Sequence, residues 1–209
     1  MKDSLEPRLA ELLPSGLALQ CVRSQLKKDE RIFMEGERPS WMFYVVCGEL
    51  ALVRHGAGGE TVFLQRQRSG FLAEASLVSD RYHCNALALE PTDVIKIPNR
   101  ALKDSIAQDG AFAVRWITML SAEVRRLRLQ NERLSLSSVG DRLIHLVETE
   151  GALGVFGVQG SYKLLAQELG VTHEALYRCL AKLEKQGVLV REQKAIRLLA
   201  RRTKSLDRL

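Results

Sequence analysis

Glu174 and Arg178 stand one helical turn apart in a segment, VTHEALYRCLAKLEKQG, whose apolar residues recur at helical spacing. An arginine can donate two parallel hydrogen bonds to O6 and N7 of guanine, and a glutamate can accept from the cytosine amino group. The pair therefore suits the edges of bases in the major groove of DNA. Four-residue separation also predicts that the two side chains hold each other's orientation. Taken singly, Glu174 would only complement a helix dipole and Arg178 would be a solvated surface charge. The flanking residues make the pair more than that.

Other chemistries find less support. The four cysteines, Cys21, Cys47, Cys84 and Cys179, form no CxxC pair and fit no zinc module. Cys47 ends an apolar run, FYVVC, and is expected in the core; Cys179 falls near the buried stripe of its helix. The histidines are His55, His83, His145 and His173, with no HxH pair of the kind a metal-dependent β-barrel enzyme uses. GxSxG, HExxH and the Walker loop are all missing. Neither a catalytic residue nor a metal site is expected.

The elements that must carry Glu174 and Arg178 are legible. Leu164, Leu165, Ala166 and Leu169 give a first helix an apolar side, and Gly170 fits a left-handed C-terminal cap. Thr172 can cap a second helix whose apolar stripe is Leu176, Leu180 and Leu183. His173, Glu174, Tyr177, Arg178 and Lys182 remain on or near its exposed face. Gly187 ends it, and VLV and AIRLL read as two strands around REQK. A helix–turn–helix followed by a wing is the expectation, with Thr172 joining those five as DNA-contacting residues.

The rest of the 209-residue chain reads as a support for this unit. Short apolar runs with turn signals from about Gln20 to Ile97 predict a sandwich or barrel, with HGAGGET as the clearest hairpin loop. Residues 5–13 predict a short helix ended by Pro14 and Gly16, and Asn99 is a plausible helix cap. A long helix follows from about Ala111 to Leu134. Its seam, Ala113, Ile117, Leu120, Val124, Leu127, Asn131 and Leu134, alternates steps of four and three residues as pairing with a second copy requires. Serines and Gly140 in 135–141 predict a hinge. The expected division is 1–110, 111–137 and 138–209. Net charge is +6, of which +4 falls from Val139 onward (12 basic and 8 acidic residues), denser there than elsewhere. No secretory signal or membrane span is visible, so a cytoplasmic location is expected.

These motifs together resemble the cyclic-AMP receptor protein / fumarate-nitrate regulator (CRP/FNR) family of bacterial transcription factors, over nearly the whole chain. The resemblance rests on the glycine patterns EGE at 35–37 and CGE at 47–49, the long helix, and LAQELGVTHEALYRCLAKLEKQGVL. The family's recognition helix reads roughly G-x-[ST]-x-E-T-[VI]-[SG]-R, matched here from Gly170 to Arg178. The resemblance implies an α+β chain: an N-terminal β-roll like a cyclic-nucleotide-binding jelly roll, a dimerisation helix and a C-terminal winged helix–turn–helix. It further implies a homodimer on a pseudo-palindromic operator, base reading by Glu174 and Arg178, operator tuning by His173 and Tyr177, and contact with RNA polymerase. The alternatives are a cyclic-nucleotide- or haem-responsive member of the same family and, beyond it, a β-roll that only regulates a partner protein without binding DNA.

The sensor departs from the family pattern. Cyclic-nucleotide members carry F-G-E-[LI]-[AS]-L followed by R-[ST]-A, in which glycine admits the phosphate, arginine neutralises it and glutamate holds the ribose. This chain reads GFLAEASLVSDRYHCNALA. Glu74 matches, Ala73 replaces the glycine, Tyr82 falls at the arginine position and His83 at the Ser/Thr position. Arg81 is one residue early, where strand alternation turns it to the opposite face. Leu127 and Arg128 stand where the cyclic-AMP subfamily places hydroxyl side chains that read adenine. Cyclic AMP is therefore not expected to bind by the usual chemistry; the effector is another molecule, or there is none. An iron–sulfur cluster is not expected from Cys21 alone, and His83 is the one histidine near the sensory loop that a haem could use.

Overall fold

The computed structural model describes residues 5–56, 60–158 and 160–199. It divides into two compact units, Met1–Met119 and Leu120–Leu209, with the division inside one long helix.

In the first unit, the short apolar runs form eight strands: β1 (Val22–Leu26), β2 (Arg31–Phe33), β3 (Trp41–Cys47), β4 (Leu50–His55), β5 (Thr61–Gln67), β6 (Gly70–Leu72), β7 (Asn85–Ala88) and β8 (Thr92–Pro98). They pair into two four-stranded sheets, β1-β8-β3-β6 and β2-β7-β4-β5. All these pairings are antiparallel. Alternation sends Phe43, Val45, Leu50, Leu52, Leu72, Ala86, Ala88 and Val94 into one core between the sheets. Strands β1, β2 and β6 were too short or too polar to be read from sequence. The hairpin loop predicted at HGAGGET lies partly at residues 57–59, outside the described residues.

Three local expectations change. Cys47 is exposed, because the β3–β8 register shifts between Val45 and Cys47 and the irregularity turns the last residue outward. Asn99 does not cap with its side chain; it is the first residue of its helix, and its Nδ2 donates to the Pro39 carbonyl at 3.1 Å. Gly16 does not terminate the first helix either. Helix α1 (Pro7–Leu12) is followed at once by a single turn, α2 (Ser15–Ala18), that contains it.

Helix α3 (Asn99–Gln108) leads into α4 (Gly110–Ser135). Near its start α4 buries Phe112 and Trp116, and Trp116 packs edge-on against Phe71 at 5.0 Å between ring centroids. These two aromatics lie on a face the coiled-coil reading did not consider. On the seam, Ile117, Val124, Asn131 and Leu134 are exposed, Leu127 is 44% exposed, and Leu120 is half-buried.

The second unit adds α5 (Val139–Glu150), β9 (Val155–Gly157), α6 (Tyr162–Glu168), α7 (His173–Lys185), β10 (Leu189–Glu192) and β11 (Ala195–Leu198). Its core joins Leu143, Leu146, Val147, Leu165, Leu169, Leu176, Leu180, Leu189 and Ile196. The wing sheet has three strands, β10-β11-β9, where two were expected; the VFG of β9 is too short to carry a periodic signal. The break between α4 and α5 is shorter than predicted. Only 136–138 are non-helical, Ser138 caps α5, and Gly140 sits in its first turn. The architecture is thus α+β: a β-roll, a long helix and a winged helix–turn–helix.

Gly48, between β3 and β4, has φ +89°, and a Cβ there would fall 2.6 Å from the Pro91 carbonyl oxygen and the Thr92 backbone. Gly48→Ala is expected to destabilise the first unit by about 1–3 kcal/mol from backbone strain alone, with the clash adding to it. Gly16→Ala, where the methyl meets open space, is expected to be neutral or slightly stabilising. Urea titration of both variants checks the contrast.

Candidate nucleic-acid interface and sensor loop

Helix α7 is fixed from below and open above. Leu176, Leu180 and Leu183 are buried, while His173, Glu174, Tyr177, Arg178 and Lys182 are exposed. The turn before it is tight: Val171 N–H donates to the Ala166 carbonyl at 2.9 Å, and Gly170 adopts φ +67°. Thr172 is exposed and caps the helix, its Oγ1 accepting from Ala175 N–H at 3.2 Å. Gly187, at φ +66°, closes the other end.

Glu174 and Arg178 do not form an ion pair, contrary to the expectation that they orient each other. The Glu174 carboxylate is bound by its own backbone N–H and by Thr172, and these hold it below the usual carboxylate range; His173 and Arg178 contribute only weakly. Local hydrogen bonds at the helix start are shorter-ranged than a reach of one turn, so they win. Among the described residues no hydrogen bond or salt bridge engages Arg178 or Lys182. Both line a groove of about 580 Å³ between α5 and α7, together with Asp141, Glu148 and Cys179. Burial pushes the Cys179 thiol up, with Lys182 opposing it only partly, so the thiolate is disfavoured there.

Sequence reasoning missed the supports of Tyr177. Its ring packs against His173 at 4.5 Å and against Tyr162 at 5.6 Å, with the Arg191 guanidinium 5.9 Å from the ring centre. Arg191 belongs to the wing. Its side chain donates to Glu184 of α7 at 2.6 Å, and its backbone N–H donates to the same carboxylate at 3.0 Å. Recognition helix and wing are therefore fastened together by residues seven apart in different elements, a spacing no periodicity reports.

The sensor-loop residues do not gather into one polar pocket. Tyr82 is 4% exposed, stacks on Phe33 at 3.6 Å, and donates its hydroxyl to the Trp41 carbonyl at 2.9 Å. It belongs to the β-roll core with Leu72, Ala73 and Cys84. Ala73 keeps the left-handed backbone (φ 73°) that a glycine would adopt without strain, at the head of a 3-10 turn, Glu74–Ser76. Glu74 is half-buried. Arg81 and His83 are exposed: Arg81 donates to the Gly36 carbonyl at 2.7 Å, and the His83 carbonyl accepts from Arg54 at 2.8 Å. Leu127 and Arg128 are exposed on α4 and belong to the other compact unit. Among the described residues no cluster of three or more His, Cys, Asp or Glu could hold a metal ion.

The cyclic nucleotide-binding domain family matches residues 23–109. Over 188 residues the chain is 28% identical to the transcriptional activator protein FnrA of Stutzerimonas stutzeri, covering 83% of this chain and 75% of that one. It is 23% identical to the anaerobic regulatory protein of Bacillus subtilis (strain 168), over 89% and 84% of the two chains. Over most of its length the chain is thus similar to transcription regulators of the CRP/FNR type. FixK2 from Bradyrhizobium japonicum shares the fold, with a TM-score of 0.58 at 21% identity over 87% of this chain and 93% of that one. Among the described residues no helix is long and apolar enough to cross a membrane.

Burial pushes the Tyr82 hydroxyl up to about 12, and burial followed by the Glu6 carboxylate does the same to Tyr44. Both groups hold their protons more tightly folded than unfolded. Their contribution to stability is complete below pH 10, the ordinary tyrosine value, and is lost as pH rises through about 12. Denaturant melts of the wild type and Tyr82→Phe are expected to show a shallower alkaline decline in the variant.

Proposed function

We propose that this chain is a CRP/FNR-type transcription regulator that acts as a homodimer and binds a pseudo-palindromic operator through α7, with half-sites about one helical turn apart. The observation that carries the reading is an exposed α7 face bearing Glu174 and an unpaired Arg178, on a helix locked in place by three buried leucines. Arg178 reads guanine, Glu174 accepts from cytosine, and His173 and Tyr177 tune the neighbouring positions. Thr172 and Lys182 contact the backbone. The exposed apolar seam of α4, with Asn131 within it, supports pairing of two copies. The same reading includes contact with RNA polymerase and residence in the cytoplasm, by resemblance to the family.

The effector reading is that cyclic AMP is not the ligand. The position that would need an arginine for the phosphate carries Tyr82, whose ring fills the core and whose hydroxyl is already bonded. Arg81 is exposed and donates to a backbone carbonyl. In this reading the regulator responds to an effector other than cyclic AMP, or to none.

Sites selected in vitro from random duplexes are expected to be palindromic. Arg178→Ala is expected to cost about 1–3 kcal/mol on the selected operator and to relax preference at one base pair per half-site. Equal weakening on every sequence would reassign Arg178 to a phosphate. Leu127→Asp in the seam is expected to shift the protein to monomer in sedimentation and to weaken operator binding; a variant that stays dimeric would remove the α4 seam from the interface.

A further inference from the structure

Among the described residues Arg133 is the largest fully buried side chain, 1% exposed, and neither the fold's apolar core nor the exposed face of α7 uses it. It lies in the last turn of α4. One terminal nitrogen donates to Glu150, the last residue of α5, and the other faces Glu168, the last residue of α6, at 3.5 Å. The buried Nε has no acceptor, so the guanidinium is held by its two terminal nitrogens alone, each to a different helix. Arg126, paired with Glu123 one turn earlier, adds a second positive charge felt by both carboxylates. A buried charge of this kind stabilises a fold no better than a well-packed apolar side chain, and its attested use is to fix one arrangement against near alternatives. A planar fork does this better than a point charge, because both acceptors must lie in its plane.

The residues between α4 and α5 give no such definition. Positions 136–138 are non-helical and two of them are serine. Arg142 of α5 ties to the Leu136 carbonyl at 2.8 Å and the Leu169 carbonyl at 3.0 Å, but it starts from α5 and does not reach back to the α4 helix itself. Among the described residues, Arg133 to Glu168 ties the body of α4 to the first helix of the helix–turn–helix, while Glu132 of α4 faces His145 of α5 at 3.4 Å.

We propose that Arg133 is a positioning residue for DNA binding: its fork fastens the end of the long helix to α6, so that in a dimer it sets the spacing between the two recognition helices. The inference rests on the DNA-binding reading above. It distinguishes two quantities. Affinity for a single half-site depends on α7, which Arg133 does not touch. Discrimination between operators of different half-site spacing depends on how firmly α7 is referred to α4.

The test uses the full-length protein, the in-vitro-selected operator, the same operator with one base pair inserted or removed between half-sites, and an isolated half-site. Arg133→Lys keeps the buried charge and loses the fork. Glu168→Ala releases α6 from the partly exposed side and leaves Arg133 paired with Glu150, so it folds even if the first variant does not. The wild type is expected to lose about tenfold or more in affinity with altered spacing, because misfit forbids simultaneous engagement of both half-sites. Both variants are expected to lose less than about threefold, with half-site affinity unchanged within about twofold. Undiminished spacing discrimination in both variants overturns the proposal. So does a parallel fall in half-site affinity, which would make the cluster a support of the helix–turn–helix fold. A wild type that selects no half-site removes the DNA-binding reading, and this proposal with it.

Discussion

Everything functional in the second unit depends on one geometric constraint: a helix must be rigid on one side and unengaged on the other. Leu176, Leu180 and Leu183 meet the first demand by sinking into a core shared with α5, α6 and the wing. The second is met by what the polar residues do not do. A surface Glu and Arg one turn apart commonly pair, yet here Glu174 turns back to the helix start and leaves Arg178 unengaged. The N-terminal cap thus does two things. Thr172 satisfies an otherwise orphaned backbone N–H, and its hydrogen bond to Glu174 helps to keep that carboxylate at the helix start and away from Arg178.

The β-roll shows the opposite arrangement. A cavity able to take a charged ligand needs polar groups that stay unsatisfied until the ligand arrives. Tyr82 removes that condition: its ring occupies apolar space and its hydroxyl is bonded to Trp41. Ala73 nevertheless retains the left-handed turn, at a cost a glycine would avoid. A ligand shifts a conformational equilibrium only by its differential affinity for the two states, so a β-roll filled by its own side chain gives a phosphate little with which to act.

Where periodicity was strong, it was reliable. The α7 stripe, the helical spacing over α4 and the longer strands all announce themselves by apolar residues at period 3.6 or 2. The failures have physical causes. A bulge moved Cys47 out of the core, and bulges follow from the pairing of two strands, not from either one. Asn99 found the Pro39 carbonyl, sixty residues away, more accessible than its own helix start. Strand β9 has three residues and exists because β11 has an edge to cover. Phe112 and Trp116 were hidden because a helix with two apolar faces does not show a single period. The polar supports were invisible for a related reason: Glu184 with Arg191, and Arg133 with Glu150 and Glu168, join different elements.

Helix α4 therefore carries three instructions on three faces of one cylinder. Phe112 and Trp116 address the β-roll, the exposed seam from Ile117 to Leu134 is available to a second copy, and Arg133 addresses the helix–turn–helix. Only the last is charged, and the difference is physical. Apolar contacts are tolerant of small slides and rotations, because area is nearly conserved as side chains repack. A guanidinium between two carboxylates is not, since its hydrogen bonds are lost within a few tenths of an ångström. Under the proposed function the apolar faces can decide which partners α4 meets, while the Arg133 fork, beside the Glu132–His145 contact at 3.4 Å, limits how α4 can slide against α5 and α6.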